Sequence, residues 1–199
     1  VLSTYQESSY ISKWNRNAVD GIDQPAMFKE VVAKAIEVSS ATKGAFDITI
    51  SPIMKYWFEN DWSTASIDSA TVDSILDHIG MNLIDLDGSH YVKSDSIVWL
   101  DVNAIAQGYS VDVVSRYLES LGIFNYLVEI GGEVRASGAK PNDESWNVGI
   151  DQPEEGNVER NLASSIELRN QALATSGNYR KFVEVDGQKF GHTLNPKTG

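Results

Sequence analysis

The residues best placed to do chemistry lie in LDVNAIAQGYSVD, residues 100–112, where Asp101 stands at a predicted strand end directly before a glycine-containing helix start. The beginning of a helix leaves backbone N–H groups without partners and carries the positive end of the peptide dipole. Beside an acidic side chain, that arrangement holds a nucleotide phosphate and a hydroxyl together. Two further places carry chemistry that would match it. Thr175, Ser176 and Gly177 follow a predicted strand and offer two hydroxyls and flexible N–H groups to pyrophosphate oxygens. His192, neutral near pH 7, is a group that takes the proton from a hydroxyl. Each has a plainer reading as well: Asp101 as a helix cap, Thr-Ser-Gly as an ordinary turn, a lone histidine as a packing group. Gly108 alone means little, and no zinc-spaced cluster, nucleophile elbow or P-loop is present.

These residues need elements to hold them. Asp23, Gln24 and Pro25 read as a helix start, after which Phe28, Val31, Val32, Ala35, Ile36 and Val38 recur at helical spacing to about Ser40. AFDITISPIM, residues 45–54, reads as a short strand or extended segment ending at Pro52, followed by an aromatic loop, YWFENDW. Val72, Ile75, Leu76 and Ile79 mark a second helix stopped by Gly80. Residues 83–86 and 90–92 make a strand pair around an Asp87-Gly88 turn, and residues 97–100 a further strand. A third helix is carried by Ile105, Tyr109, Val113, Val114, Tyr117, Leu118 and Leu121, and closed by Gly122. Short strands then follow at 124–130, 133–137, 146–151, 164–168, 172–175, 180–185 and 188–193, the pattern of antiparallel sheet. Helices early and strands late place the chain in the α+β class.

Composition bounds the partners. With 199 residues, 42% of them hydrophobic, the chain buries a core large enough for one domain or two small ones. Sixteen basic against 28 acidic residues give a net charge of −12, which sets nucleic acid aside as a main partner and suits a site that collects a divalent cation. The absence of cysteine excludes disulfides, thiolate metal sites and a cysteine nucleophile. No apolar run approaches the ~20 residues that cross a bilayer, and the first residues are not organised as an export signal.

Six strings occur in one order along the chain: STY at 3–5, GAFDITISP at 44–52, LDVNAIAQGYSVD at 100–112, VEIGGEVRASG at 128–138, ATSGNYR at 174–180 and GHTLNPKTG at 191–199. Together they resemble the ApbE family of FAD:protein FMN transferases, formerly described as thiamine biosynthesis lipoproteins. The resemblance implies an α+β, tunnelling-type fold with helices packed on antiparallel sheets, forming a single flavin transferase domain over residues 1–199. It implies Mg²⁺-dependent splitting of the FAD pyrophosphate, transfer of FMN to a Thr or Ser hydroxyl of an acceptor protein, and release of AMP. The alternatives are a Mg²⁺-dependent FAD pyrophosphatase yielding FMN and AMP and, from another class, a flavin-binding protein without turnover. The family's members are commonly exported and lipid-anchored on the outer side of the inner membrane, so an extracytoplasmic or periplasmic setting is expected.

Residue by residue, the resemblance implies that FAD is contacted by Tyr5 through ring packing, by Ala45, Phe46 and Asp47, by Asp101, and by Gln107, Glu129, Thr175, Ser176, Gly177 and Thr193. The carbonyl of Ala104 would be a backbone ligand of Mg²⁺, a reasonable hard-oxygen donor, and His192 would act as the proton acceptor. Physically, Gly131-Gly132 also reads as a bulge or tight strand approach, which leaves Glu129 equally open to a structural role. The chain departs from the family pattern with amides at Asn103, Gln107, Asn178 and Asn195, which lowers the charge contrast around the phosphates. Family members also have strands before the STY block and, after the PKTG turn, a segment with side-chain metal ligands; neither lies within these residues.

Overall fold

The computed structural model describes residues 1–19, 23–59, 68–152, 162–177, 182–185, 188–191 and 193–199. Helices and antiparallel strands are mixed, as the α+β reading expects. The chain forms two compact units. One comprises Val1–Ala106, Val185–Gln188 and Thr193–Gly199; the other comprises Gln107–Glu184 and Lys189–His192. Among the described residues no helix is long and apolar enough to cross a membrane.

In the first unit α1 (Tyr10–Asn15) and α2 (Ala26–Ala41) build the core. The predicted helical spacing holds: Phe28, Val31, Val32 and Ala35 are buried on one face of α2. Phe28 receives Tyr10 edge-on at 5.0 Å and Trp14 at 5.7 Å between ring centroids. Helix α1 was not anticipated, because six residues are too few for a periodic pattern. Its Ser9 cap accepts the Ser12 amide at 3.1 Å. The expected aromatic loop after Pro52 is instead α3 (Ser51–Glu59), which packs on α4 (Ser69–Leu76). Pro52 lies in the first turn, where its missing N–H costs nothing, and Ile53 is fully buried.

The hairpin β1 (Ile84–Asp87) and β2 (His90–Lys93) forms with Asp87 paired to His90, so Gly88-Ser89 rather than Asp87-Gly88 is the two-residue turn. Residues 97–100 do not form the expected strand. They contribute a single parallel bridge from Trp99 to Ile50, and Leu100 is held by a side chain instead of a neighbouring strand.

Lys93 holds this region from beneath. Its ammonium donates to the carbonyls of Asn15 at 2.9 Å and Val98 at 3.0 Å, and lies 4.8 Å from the centre of the Trp14 ring. Burial lowers its pKa to about 8, against the upward pull of the Asp95 carboxylate. The unfolded chain, with an ordinary lysine near 10.5, therefore binds more protons between those two values, and stability contributed here rises as pH increases through that window. The urea midpoint of the wild type should climb from pH 8 to 10 relative to that of Lys93→Met. Parallel pH profiles of the two proteins would refute the assignment.

In the second unit the three-stranded antiparallel sheet β3 (Tyr126–Ile130), β4 (Glu133–Ser137) and β7 (Gln171–Leu173) is the centre. Alternation divides its faces. Tyr126, Val128 and Ile130 pack against Val111 and Leu118 of α5 (Asn103–Ser120). Val134, Ala136 and Leu127 pack with Trp146 and Val148 of β5 (Trp146–Asp151) and Leu168 of β6 (Leu162–Leu168). Arg135 pins α5 to the sheet, donating to Asp112 at 2.7 Å and Glu119 at 3.4 Å, and these carboxylates raise its pKa still further. A pair formed by β8 (Phe182–Val185) and β9 (Gln188–Gly191) completes the described strands.

Candidate functional site

In the first unit the start of α5 brings two predicted contacts together. Asp101 Oδ1 accepts the amide of Asn103, the first residue of α5, at 2.7 Å, satisfying one of the donors that a helix start leaves open. Its Oδ2 accepts the Asn103 carboxamide at 3.1 Å, and the same carboxamide donates to the Tyr5 hydroxyl at 3.4 Å. Tyr5 is 84% exposed, so its ring is available as a platform. The Asp101 amide donates to the Ile48 carbonyl at 2.7 Å, which ties this group to the segment carrying Ala45, Phe46 and Asp47.

That second block is arranged differently from the expectation of a carboxylate directed at ligand. Asp47 Oδ1 accepts both the amide and the hydroxyl of buried Thr49, at 2.8 and 2.6 Å, while Oδ2 accepts the Met81 amide at 3.1 Å. The Ala45 amide donates to the Thr42 carbonyl and the Phe46 amide to the Thr42 hydroxyl. The block is thus a rigid corner in which carboxylate and amides serve the fold. A cavity of about 470 Å³ opens next to it, lined by Ser39, Lys43, Asp47, Met81, Pro196 and Lys197, but including neither Tyr5 nor Asp101. Exposed Thr193 begins the final segment, in which Asn195 Oδ1 accepts the Lys197 amide and its carbonyl accepts those of Thr198 and Gly199. Asn195 is therefore a turn former, the role an aspartate would fill as well.

In the second unit three predicted contacts converge on one turn. Gly131 and Gly132 join β3 to β4 at φ +62° and +96°, the positive pair that a tight two-residue hairpin requires. Glu129 Oε1 accepts the Gly132 amide at 2.6 Å. A methyl group at Gly131 would lie 2.2 Å from the Gln107 carboxamide, and one at Gly132 would lie 4.0 Å from the Thr175 hydroxyl. Gln107, Glu129 and Thr175 thus surround the double glycine, with exposed Ser176 and Gly177 following. Gly131→Ala should cost about 1–2 kcal/mol from the left-handed backbone alone and displace Gln107. A lowered urea midpoint for the variant is the measurement; an unchanged one would contradict the turn.

His192 and Asn178 lie outside the described residues. His78 pairs through Nδ1 with the Asp95 carboxylate, and the Ile97 amide and His78 hold that carboxylate below its ordinary range. Sequence reasoning missed Thr49, whose D-x-T pattern with Asp47 is a recognisable turn signature, and Asn15, for which no local pattern exists.

The donors among the described residues do not fit a resident Mg²⁺. Among the described residues no three His, Cys, Asp or Glu side chains come together. The Ala104 carbonyl lies in the first turn of α5, where helical geometry gives it the Gly108 amide. Asp101 is already shared with Asn103.

The ApbE family profile matches residues 1–199. FAD:protein FMN transferase from Haemophilus influenzae is 34% identical over 207 residues, covering 100% of this chain and 59% of the relative. The Vibrio cholerae enzyme of the same name is 33% identical, with 100% and 60% covered. This chain therefore spans about three-fifths of the length of these curated relatives. Among solved structures, flavin transferase ApbE from Vibrio cholerae superposes with a TM-score of 0.81 at 30% identity, over 99% of this chain and 63% of that one. The apo flavinyl transferase ApbE from Pseudomonas stutzeri gives 0.80 at 32%, over 99% and 61%. Matched from its first residue to its last, and sharing the backbone course of solved flavin transferases, the chain belongs to the ApbE family.

Proposed function

We propose that this chain binds FAD and serves transfer of its FMN moiety to a Thr or Ser hydroxyl of an acceptor protein. The observation that carries the reading is the array of Tyr5, Asn103 and Asp101 at the start of α5, an exposed ring beside a carboxylate and a helix N-terminus. A ring of this kind stacks on a base or flavin for roughly 1–3 kcal/mol, and Asp101 offers a charged acceptor to a ribose or base donor. In the reaction, the acceptor oxygen attacks the FMN phosphorus and forms a new phosphoester. The P–O bond to AMP breaks, AMP leaves with the electron pair, and the hydroxyl proton passes to His192. Thr175, Ser176 and Gly177 offer hydroxyls and amides to the pyrophosphate oxygens.

Mg²⁺ dependence comes to this reading from the family resemblance and not from donors among the described residues. A lipid-anchored, extracytoplasmic setting belongs to it through the resemblance alone. A second reading, FAD binding without turnover, is favoured by the amides Asn103 and Gln107 and by the lack of convergent acidic donors among the described residues. One experiment separates them. The protein is incubated with FAD and an acceptor carrying a Thr-containing flavinylation segment, with Mg²⁺ or with EDTA. Transfer makes the acceptor fluorescent in a denaturing gel and releases AMP. AMP without labelled acceptor would mean hydrolysis, and bound FAD without AMP would mean binding only.

A further inference from the structure

The segment that delivers Asp101 is not held by a strand. Its last residue before the carboxylate, Leu100, is fully buried, and both of its backbone groups are taken by one side chain. The Leu100 amide donates to Asn15 Oδ1 at 2.8 Å, and Asn15 Nδ2 donates to the Leu100 carbonyl at 3.0 Å. Asn15 is 4% exposed and is itself fixed, since its own carbonyl accepts the Lys93 ammonium at 2.9 Å. It ends α1, whose beginning is locked to the N-terminal residues. Ser9 and Ser12 both donate their hydroxyls to the Ser3 carbonyl, at 2.6 and 3.2 Å, and the Ile11 amide donates to the Val1 carbonyl at 3.0 Å. Residues 1–15 thus form one folded piece that carries Tyr5 near one end and Asn15 at the other.

We infer that Asn15 is a positioning residue for the nucleotide contact: its two bonds to Leu100 set the spacing between the Tyr5 ring and the Asp101 carboxylate. This rests on the proposed FAD reading, because Asn15 acts through Leu100 and touches no ligand itself. The carboxamide is the only common side chain of this length that donates and accepts at once. Asn15→Asp keeps the acceptor for the Leu100 amide but sets an oxygen against the Leu100 carbonyl. Asn15→Leu keeps the volume and loses both bonds. Loss of a buried pair of this kind lets the segment shift, and a small displacement of one contact relative to the other weakens a two-point grip.

The test is an FAD titration by quenching of flavin fluorescence, alongside hydrogen exchange at the Leu100 and Asp101 amides, on the full 199-residue chain. Asn15→Asp and Asn15→Leu should bind FAD about tenfold more weakly, the loss of one to two net hydrogen bonds, with faster exchange at both amides and unchanged helical circular dichroism. Exposed Lys34→Ala should match the wild type. Folded variants that bind FAD as the wild type does overturn the inference, whatever their exchange rates. Where neither variant folds, the wild type decides: FAD must slow exchange at Leu100 and Asp101, and the absence of that protection overturns the inference. A wild type that binds no FAD sinks the flavin reading, a result distinct from failure of the Asn15 variants alone.

Discussion

Replacing Asp101 by Ala is expected to weaken FAD binding by about 10- to 150-fold, the value of a hydrogen bond to a charged group, while lowering stability by about 1 kcal/mol, the value of a lost helix-start acceptor. The two effects have different origins. Stability comes from Oδ1, which satisfies the Asn103 amide at 2.7 Å. On the proposed reading, affinity comes from the negative charge beside the exposed Tyr5 ring and the helix N-terminus. Asp101→Ser should therefore recover the urea midpoint, since serine accepts an amide as well as aspartate does, but not the affinity. Fluorescence titration and urea unfolding of both variants are the measurements. If serine restores both quantities, Asp101 is a helix cap and nothing more.

Phe28→Ala should cost about 3–5 kcal/mol, the range for a fully buried aromatic, and lower the urea midpoint accordingly. The ring is 0% exposed and is met by Tyr10 at 5.0 Å and Trp14 at 5.7 Å, both on α1. No neighbouring side chain refills such a cavity, because interiors are close-packed. The damage should also spread in a defined direction. Helix α1 carries Asn15, so amide exchange at Leu100 should accelerate together with that of α1, while amides of β3 and β4 keep wild-type protection. A loss below about 1 kcal/mol, smaller than truncating even one aliphatic core residue, would show that α2 is not the centre of this unit.

How much of this was legible depends on how local the cause is. Helix α2 and the strands β4 and β5 follow from apolar spacing, which the chain carries in every few residues. Helix α3 did not read as a helix because Pro52 and the Tyr56-Trp57-Phe58 run imitate a loop, whereas its placement depends on burial of Ile53. The residues at 97–100 look like a strand for the opposite reason: Val98 and Leu100 are buried, but their partners come from Lys93 and Asn15. Asp101 was legible from its place directly before a helix start and Tyr5 only through a family resemblance, since nothing near either residue announces that Asn103 connects them. Asn15 lies 85 positions from the residue it holds, and a pairing at that distance leaves no mark on composition or period. Gly131-Gly132, read as a bulge or tight strand approach, is a hairpin turn whose positive φ angles were open to inference from the residue type alone.

Gln24 does for Tyr91 what Asn15 does for Leu100. Its Nε2 donates to the Tyr91 carbonyl at 2.6 Å, and its Oε1 accepts the Tyr91 amide at 2.8 Å. Each carboxamide thus imitates a single residue of an adjoining strand and then stops. A real strand would present its own far side to the next chain, and an open edge of that kind recruits other molecules into growing sheets. A side chain has no far side to offer. The hairpin's outer edge at Tyr91 and the stretch before Asp101 are therefore closed to strand addition. Tyr91 and Leu100 thus spend their backbone groups on a partner within the chain.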